Sequence, residues 1–346
     1  MVLHGINRGF YIYLTLTPDR IQSIMSDNIL VTGAAGFVGQ HLVRRLAKDG
    51  HSVTALDIRS TPPASYAEYV GDTVNYIQGS VLSDEFIDTM VFRSPNTYDR
   101  IYHLASIVGV NRYLDPEDLL YIVDVNINGT RNLLERTRGS DTRFVYASTS
   151  EIFGRNPDVP WAEEDDRVLG SPSKSRWSYS STKAVCEHMV QNVGRNDPGV
   201  STTIVRPFNL YGPHQRPDFV IPKFLDLAAN GEVPTVYGDG TQKRCFTYVG
   251  DFIEGLLRAS EQEHNDNETY NLGSTDEIEI RELASLVLEV SDMSDREPKY
   301  IERTDEDNDY EEPTRRIPDV SRANDNLGWE ATTSLREGLN KTLSTR

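Results

Sequence analysis

A glycine triplet at the end of an apolar run constrains this chain more than any other feature. The run is Asn28-Ile29-Leu30-Val31, and Thr32 leads from it into Gly33-Ala34-Ala35-Gly36-Phe37-Val38-Gly39. Leu42, Val43 and Leu46 follow at helical spacing. That order predicts strand, tight turn and helix. Gly33 permits the sharp turn, Gly36 lets backbone approach a pyrophosphate, and Gly39 lets the helix pack on the strand. The helix start, with Phe37 and Val38 in its first turn, then offers unpaired N–H groups and a positive dipole end to phosphate. Eighteen residues past Gly39, a second run, Ser52-Val53-Thr54-Ala55-Leu56, ends in Asp57. A carboxylate there binds both hydroxyls of an adenosine ribose and repels a 2′-phosphate. A plain turn would explain the triplet by itself. Strand, helix and acidic residue together indicate a dinucleotide site.

The same alternation continues along the chain. Strands are predicted at 74–78, 100–105, 143–148 and 202–206. Helices are predicted at 84–92, about 117–136 and 178–193. Strands alternating with helices mean a doubly wound parallel α/β sheet, with ligands at the carboxyl ends of its strands. Residues 60–72 read as a loop. Beyond Pro207 the pattern loosens into Pro, Gly and short elements. This divides the chain into a nucleotide-binding domain at 25–206 and a smaller, partly interleaved lobe at 207–346, some of whose segments return to the sheet. Residues 1–24 precede the first strand and read as a disordered leader or a misassigned start, since Met25-Ser26-Asp27 opens naturally. The acidic run at 302–312 reads as a solvated loop.

Composition narrows the partners. At 346 residues the chain can bury a large core. Its formal charge is −18, and its basic residues are mostly Arg. Such a surface disfavours nucleic acid and anionic membrane. It fits either an ordinary acidic cytoplasmic enzyme or adaptation to high salt, where ions screen the self-repulsion. Two cysteines, Cys186 and Cys245, without paired spacing give no disulfide framework and no metal site, which fits a reducing cytoplasm. No apolar run reaches the length of a membrane span.

The catalytic signal is Tyr179-Ser180-Ser181-Thr182-Lys183. Tyr179 and Lys183 share one helix face. A phenol is a poor base at neutral pH, and a nearby ammonium together with a nicotinamide cation is expected to lower its pKa. Tyr179 can then take a proton from a sugar hydroxyl while hydride leaves the same carbon. A hydroxyl cluster, Ser148-Thr149-Ser150, closes the preceding strand and runs into Glu151.

With these residues in place, the chain resembles an extended short-chain dehydrogenase/reductase of the NAD-dependent nucleotide-sugar epimerase/dehydratase family, from about Asp27 to Leu339. The resemblance implies a Rossmann domain, a smaller substrate lobe, NAD as cofactor and a homodimer. The glycine triplet matches the family's cofactor motif, and His103-Leu104-Ala105 matches the segment passing the nicotinamide. His103 itself reads as a structural strand-end residue. Asn126-x-x-Gly129-Thr130 matches the following helix. Thr149 stands at the family's catalytic Ser/Thr, and Tyr179 and Lys183 at its catalytic pair, with Lys183 also on the nicotinamide ribose. Asn209, Arg244 and Arg316 fall in segments that hold the nucleotide-sugar diphosphate. Ser80 replaces a usual Asp near the adenine, and Phe153 replaces a usual Tyr before Gly154.

The family shares one step, oxidation of the sugar at C4. Later chemistry divides it into epimerases, 4,6-dehydratases and uronate decarboxylases. Glu151 sorts these, because a carboxylate directly after the Ser/Thr can serve C5. Ser150-Glu151 is similar to the UDP-glucuronate decarboxylases, though GDP-mannose dehydratases also show Ser-Glu there, and the segments Arg176-Trp177-Ser178-Tyr179 and Lys243-Arg244-Cys245-Phe246-Thr247 are similar to the decarboxylase domain of aminoarabinose synthesis. The expected activity is therefore UDP-glucuronate decarboxylation, with 4-epimerase and 4,6-dehydratase as alternatives. A non-catalytic NAD sensor is the reading from another class. Glu151 can alternatively serve as a structural carboxylate holding Arg176. Arg112, Arg176 and Arg244 are the cations available to a uronate carboxylate.

Overall fold

The computed structural model describes residues 26–93, 97–108, 116–261, 267–302 and 315–345. The expectations for residues 1–24, Arg112 and 303–312 lie outside them. Seven parallel strands form the main sheet: β1 (Asn28–Thr32), β2 (Ser52–Asp57), β3 (Val74–Gln78), β4 (Arg100–His103), β5 (Arg143–Ala147), β6 (Ser201–Pro207) and β7 (Glu268–Leu272). Their spatial order is β7-β6-β5-β4-β1-β2-β3. The chain order reverses between β1 and β4, so a crevice opens past their carboxyl ends. Ile29, Leu30 and Val31 are fully buried, as a strand covered on both faces requires.

Helices cover the sheet on both sides. Helix α1 (Phe37–Lys48) turns Leu42, Val43 and Leu46 onto one face. Helix α6 (Val249–Glu261) adds Phe252 and Leu256 to the same cluster, and Leu327 and Trp329 complete it. On the other face lie α2 (Pro116–Val123), α3 (Gly129–Thr137) and α4 (Trp177–Asn196), with Leu133, Leu134, Cys186 and Val190 in the core. A π-helical turn, Asp124–Asn128, joins α2 to α3.

After Pro207 the chain builds a second core. Helices α5 (Val220–Ala229), α7 (Ile280–Val290) and α9 (Leu335–Leu343) bring Phe224, Leu225, Leu283, Val287 and Leu339 together. Between α5 and α7 the chain returns to the main sheet as α6 and β7. It returns again through α8 (Ser321–Leu327). No helix among the described residues is long and apolar enough to cross a membrane.

Candidate active site

A cavity of about 540 Å³ opens at the carboxyl ends of the strands, between the sheet and the second core. Its first wall is the glycine turn. Gly33 has φ +70°, which favours glycine, and an added Cβ there would lie 2.8 Å from the Ala105 nitrogen. A Cβ at Gly39 would lie 2.2 Å from the Gly33 carbonyl oxygen, so the helix start and the turn pack backbone to backbone. Gly36 caps α1 without a side-chain hydrogen bond, and Phe37 and Val38 line the cavity beside it. Asp57 ends β2 and also lines the cavity. Its Oδ2 accepts from the Ala35 N–H at 2.9 Å, and Arg59 Nη1 donates to the Ala35 carbonyl at 2.8 Å. Strand-end carboxylate and turn are thus one unit. Leu104, Ala105 and Ser80 complete this wall, and Ser80 Oγ accepts from the Leu82 N–H.

His103 sits just below, fully buried between Thr32 (2.7 Å) and Thr130 (3.0 Å). Thr130 gives its own proton to the Asn126 carbonyl at 2.6 Å, so it accepts from His103 Nε2. Burial, then the Lys183 charge, pushes His103 down to about 3. It is a neutral structural residue, in line with its reading from the sequence.

The facing wall carries Thr149, Tyr179 and Lys183, all buried and all lining the cavity. Thr149 caps the short turn Ser150–Phe153 by accepting from the Glu151 N–H at 3.2 Å. Tyr179 hydrogen-bonds Thr149 and Ser106. Ser106 in turn donates to Asn126 Oδ1 at 2.9 Å, and Asn126 donates to Thr182 at 3.3 Å. Asn126 therefore joins the loop after β4 to α4.

Without a nicotinamide cation, Lys183 by itself does not lower the Tyr179 pKa. Burial raises the phenol well above its ordinary value, the Glu151 charge adds to this, and the Thr149 and Ser106 hydrogen bonds only oppose it. The reason is geometric. Lys183 Nζ donates to the Ala147 carbonyl at 2.7 Å and sits 4.7 Å over the Tyr146 ring. Burial pushes Lys183 itself down to about 8, against the charges of Cys186 and Glu187.

Two arginines meet on Glu151. Arg176 Nη1 lies 3.2 Å from one carboxylate oxygen, and Arg316 Nη1 hydrogen-bonds the other. Both guanidinium groups are buried, and Glu151, Arg176, Ser150 and Arg316 all line the cavity. The alternative role of Glu151, holding Arg176, is thus present in the structure. Asn209 also lines the cavity, its side chain donating to the Cys245 carbonyl at 2.8 Å. Arg244 does not line it. That residue lies in a small antiparallel pair with Glu277–Glu279 and donates to the Lys243 carbonyl at 2.7 Å.

Sequence reasoning missed the layer underneath. Glu187 and Arg206 form a buried ion pair at 2.6 Å below the strand end. Tyr179, Lys183 and Glu187 recur every four residues, and that helical spacing was the available signal. Ser106 and Arg167 carry no local signal. Phe153 stacks on Trp161 at 5.0 Å and is fully buried, which makes its replacement of Tyr a packing change.

The model of the NAD dependent epimerase/dehydratase family matches residues 29–273. The chain belongs to that family. It is 34% identical over 322 residues to the UDP-N-acetyl-alpha-D-glucosaminuronate decarboxylase of Bacillus cytotoxicus, covering 92% of this chain and 97% of that protein. It is 35% identical over 319 residues to UDP-glucuronic acid decarboxylase 1 of Danio rerio, covering 91% and 71%. The crystal structure of UDP-glucuronic acid 4-epimerase from Bacillus cereus, in complex with UDP-glucuronic acid and NAD, superposes with a TM-score of 0.77. That pair is 28% identical and covers 92% of this chain and 98% of the other.

The residues present fit the family's cofactor. The turn at Gly33 and Gly39 has no room for side chains, so backbone faces the cavity where a diphosphate would be held. Asp57, lining the cavity, is a carboxylate that would suit a ribose diol without a phosphate. The cofactor is NAD.

Proposed function

We propose that this NAD-dependent enzyme is a UDP-hexuronate decarboxylase, acting on UDP-glucuronate. The observation that carries this reading is the pair of buried arginines, Arg176 and Arg316, meeting beside Thr149 and Tyr179. A uronate brings a negative charge to the reacting end of the sugar, and buried cations offset its desolvation. Arg176 is the discriminating one of the two, since a neutral hexose brings no charge for it to meet, whereas Arg316 falls in a diphosphate segment in any member of the family. The decarboxylases among the relatives support the same reading. The smaller lobe, with Asn209 and Arg316 at its border, serves the nucleotide sugar; Arg244 stands outside the cavity wall and has a supporting place at most.

NAD, when bound, supplies the hydride acceptor. The chain's own residues do the rest. Thr149 and Ser106 orient the Tyr179 phenol toward the sugar C4 hydroxyl, whose proton it takes. That requires positive charge beside a phenol raised by burial; Lys183, one helical turn on, would supply it together with the nicotinamide cation of bound NAD. A ketone at C4 stands β to the C6 carboxylate. The C5–C6 bond then breaks, carbon dioxide leaves, and its electron pair moves onto the C4 oxygen as an enolate. Thr149 and Ser150 stabilise that oxygen. Glu151, held as a carboxylate by Arg176 and Arg316, orients a water that returns to C5 a proton drawn from solvent.

Mass spectrometry of the products from UDP-glucuronate, UDP-N-acetylglucosaminuronate and UDP-glucose tests this. Loss of carbon dioxide from UDP-glucuronate is expected. UDP-galacturonate from UDP-glucuronate, or UDP-galactose from UDP-glucose, without loss of mass would replace the reading with a 4-epimerase. Loss of water from a nucleotide hexose would point to a dehydratase. Glu151→Gln should spare C4 oxidation more than the later steps, so the absorbance of reduced cofactor builds up while product release slows by roughly 10–100-fold.

The enzyme is also proposed to be a cytoplasmic homodimer. Leu120 and Tyr121 on α2 and Val185 on α4 are exposed, and these helices lie on one face of the sheet. Both cysteines are free and buried. A monomeric mass by light scattering would remove the dimer.

A further inference from the structure

The ion pair below the active site has an unusual address. Glu187 and Arg206 each leave only 7% of their side chain exposed. One Glu187 oxygen accepts from Ser148 Oγ and from Arg206 Nε at 3.0 Å, and the other accepts from Arg206 Nη2 at 2.6 Å. Ser148 immediately precedes Thr149. Glu187 lies one helical turn beyond Lys183 and two beyond Tyr179. A single carboxylate therefore touches the strand end that presents Thr149, from the helix that presents the other two groups.

The rest of the layer braces the same junction. Arg206 Nη1 donates to the Glu163 carbonyl at 2.7 Å, and its guanidinium lies 5.2 Å from the Phe153 ring centre. Arg167 donates from Nε to the Ile152 carbonyl at 3.0 Å and from Nη2 to the Ser180 carbonyl at 3.3 Å. Ile152 belongs to the turn after Thr149, and Ser180 follows Tyr179. A buried ion pair is a poor device for stability, since desolvation offsets most of its attraction. Its placement suits orientation instead, where a small misalignment of reacting groups is costly.

We propose that Glu187 is a positioning residue for C4 oxidation, holding Thr149 in register with Tyr179 and Lys183 through Ser148 and Arg206. The proposal rests on the reading that Thr149 and Tyr179 act on the sugar hydroxyl. Its test pairs kinetics with hydrogen exchange, because exchange needs no substrate.

Two variants separate positioning from mere support. In Glu187→Met/Arg206→Met both charges go and the space stays filled, while Ser148 Oγ and the Glu163 carbonyl each lose a partner, so only a modest fall in Tm is expected. Its kcat should fall by roughly 10–100-fold with KM nearly unchanged. Amides of residues 148–153 should exchange about tenfold faster than in the unaltered enzyme. Glu187→Gln keeps an acceptor for Ser148 and should retain most of the rate. A double variant with unaltered kcat and exchange overturns the proposal. So does a loss confined to KM, or one that tracks a fall in Tm in both variants. If the unaltered enzyme turns over none of the nucleotide sugars, the proposed function fails, and the exchange comparison alone decides the role of Glu187.

Discussion

The two walls of the cavity are built by different means. The cofactor wall is largely backbone: a glycine turn, the start of α1 and the loop after β4, with Asp57 as its main polar side chain. The substrate wall is side chains drawn from distant places. Thr149 and Glu151 follow β5, Tyr179 and Lys183 lie on α4, and Arg316 precedes α8. A wall of backbone tolerates few substitutions, because an added Cβ meets main chain. A wall of side chains changes chemistry with single substitutions while the fold stays put. That difference lets one scaffold keep its cofactor and vary its reaction.

The sharpest way to break this division is Tyr179→Phe. Only the proton acceptor leaves, and the ring still fills its buried place. C4 oxidation should slow by about 10²–10⁴-fold. NAD affinity, followed by fluorescence titration, should stay within a few-fold, since the backbone wall is untouched. Loss of NAD binding in this variant would show that the two walls do not act separately.

A second probe sharpens the cofactor side. Asp57→Ala removes a charged acceptor worth about tenfold in affinity, so the preference for NAD over NADP should shrink by about that factor. Arg59 strengthens the expectation. Its guanidinium already reaches the turn through Ala35, and without Asp57 its charge stands unopposed near the ribose. Part of the effect will run through the turn, because Asp57 also holds the Ala35 N–H. Parallel titrations with the two dinucleotides separate the parts: a loss common to both belongs to the turn, and the difference belongs to the phosphate.

The same division explains what could be read from the sequence. The cofactor wall lies within a short stretch, so Gly33, Gly36, Gly39 and Asp57 announce it by spacing alone. The Tyr179–Lys183 pair is legible because helical periodicity puts both on one face. The presence and parallel sense of the first six strands follow from their alternation with helices. By contrast, β7 and α6 rejoin the sheet from a region of short elements, and their destination is set by burial of Tyr270, Leu272 and Phe252 against distant residues. The meeting of Arg316 with Arg176 on Glu151 comes with the later return that precedes α8, which no local pattern marks, so the sequence offered Arg112, Arg176 and Arg244 for a uronate carboxylate and left Arg316 with the diphosphate. Ionisation was the least legible property. A phenol and an ammonium one turn apart suggest a lowered phenol pKa, but burial outweighs the neighbour once Lys183 turns to the Ala147 carbonyl.

The smallest expected effect concerns pH and belongs to the substrate wall. Lys183 titrates near 8 rather than at its ordinary 10.5, because burial disfavours its charge. The groups around it are Tyr179, Cys186 and Glu187 on its own helix, Tyr146 and the Ala147 carbonyl on β5, and His103 on β4. Below about 8 the lysine is charged and can support the phenolate; above it the charge is lost. The profile of kcat/KM, which reports the enzyme before sugar binds, should therefore fall on the alkaline side, with about half its maximum remaining near pH 8. The acid side should carry no histidine step from His103, since that residue stays neutral through the ordinary histidine range of about pH 5–8. Rates for the unaltered enzyme and for Lys183→Arg check the assignment. Arginine keeps its charge at all these pH values. Its activity should be lower at neutral pH, since the longer fork does not fit the Ala147 carbonyl, and its alkaline limb should be absent. A limb that survives the substitution would assign the titration to another group on that wall.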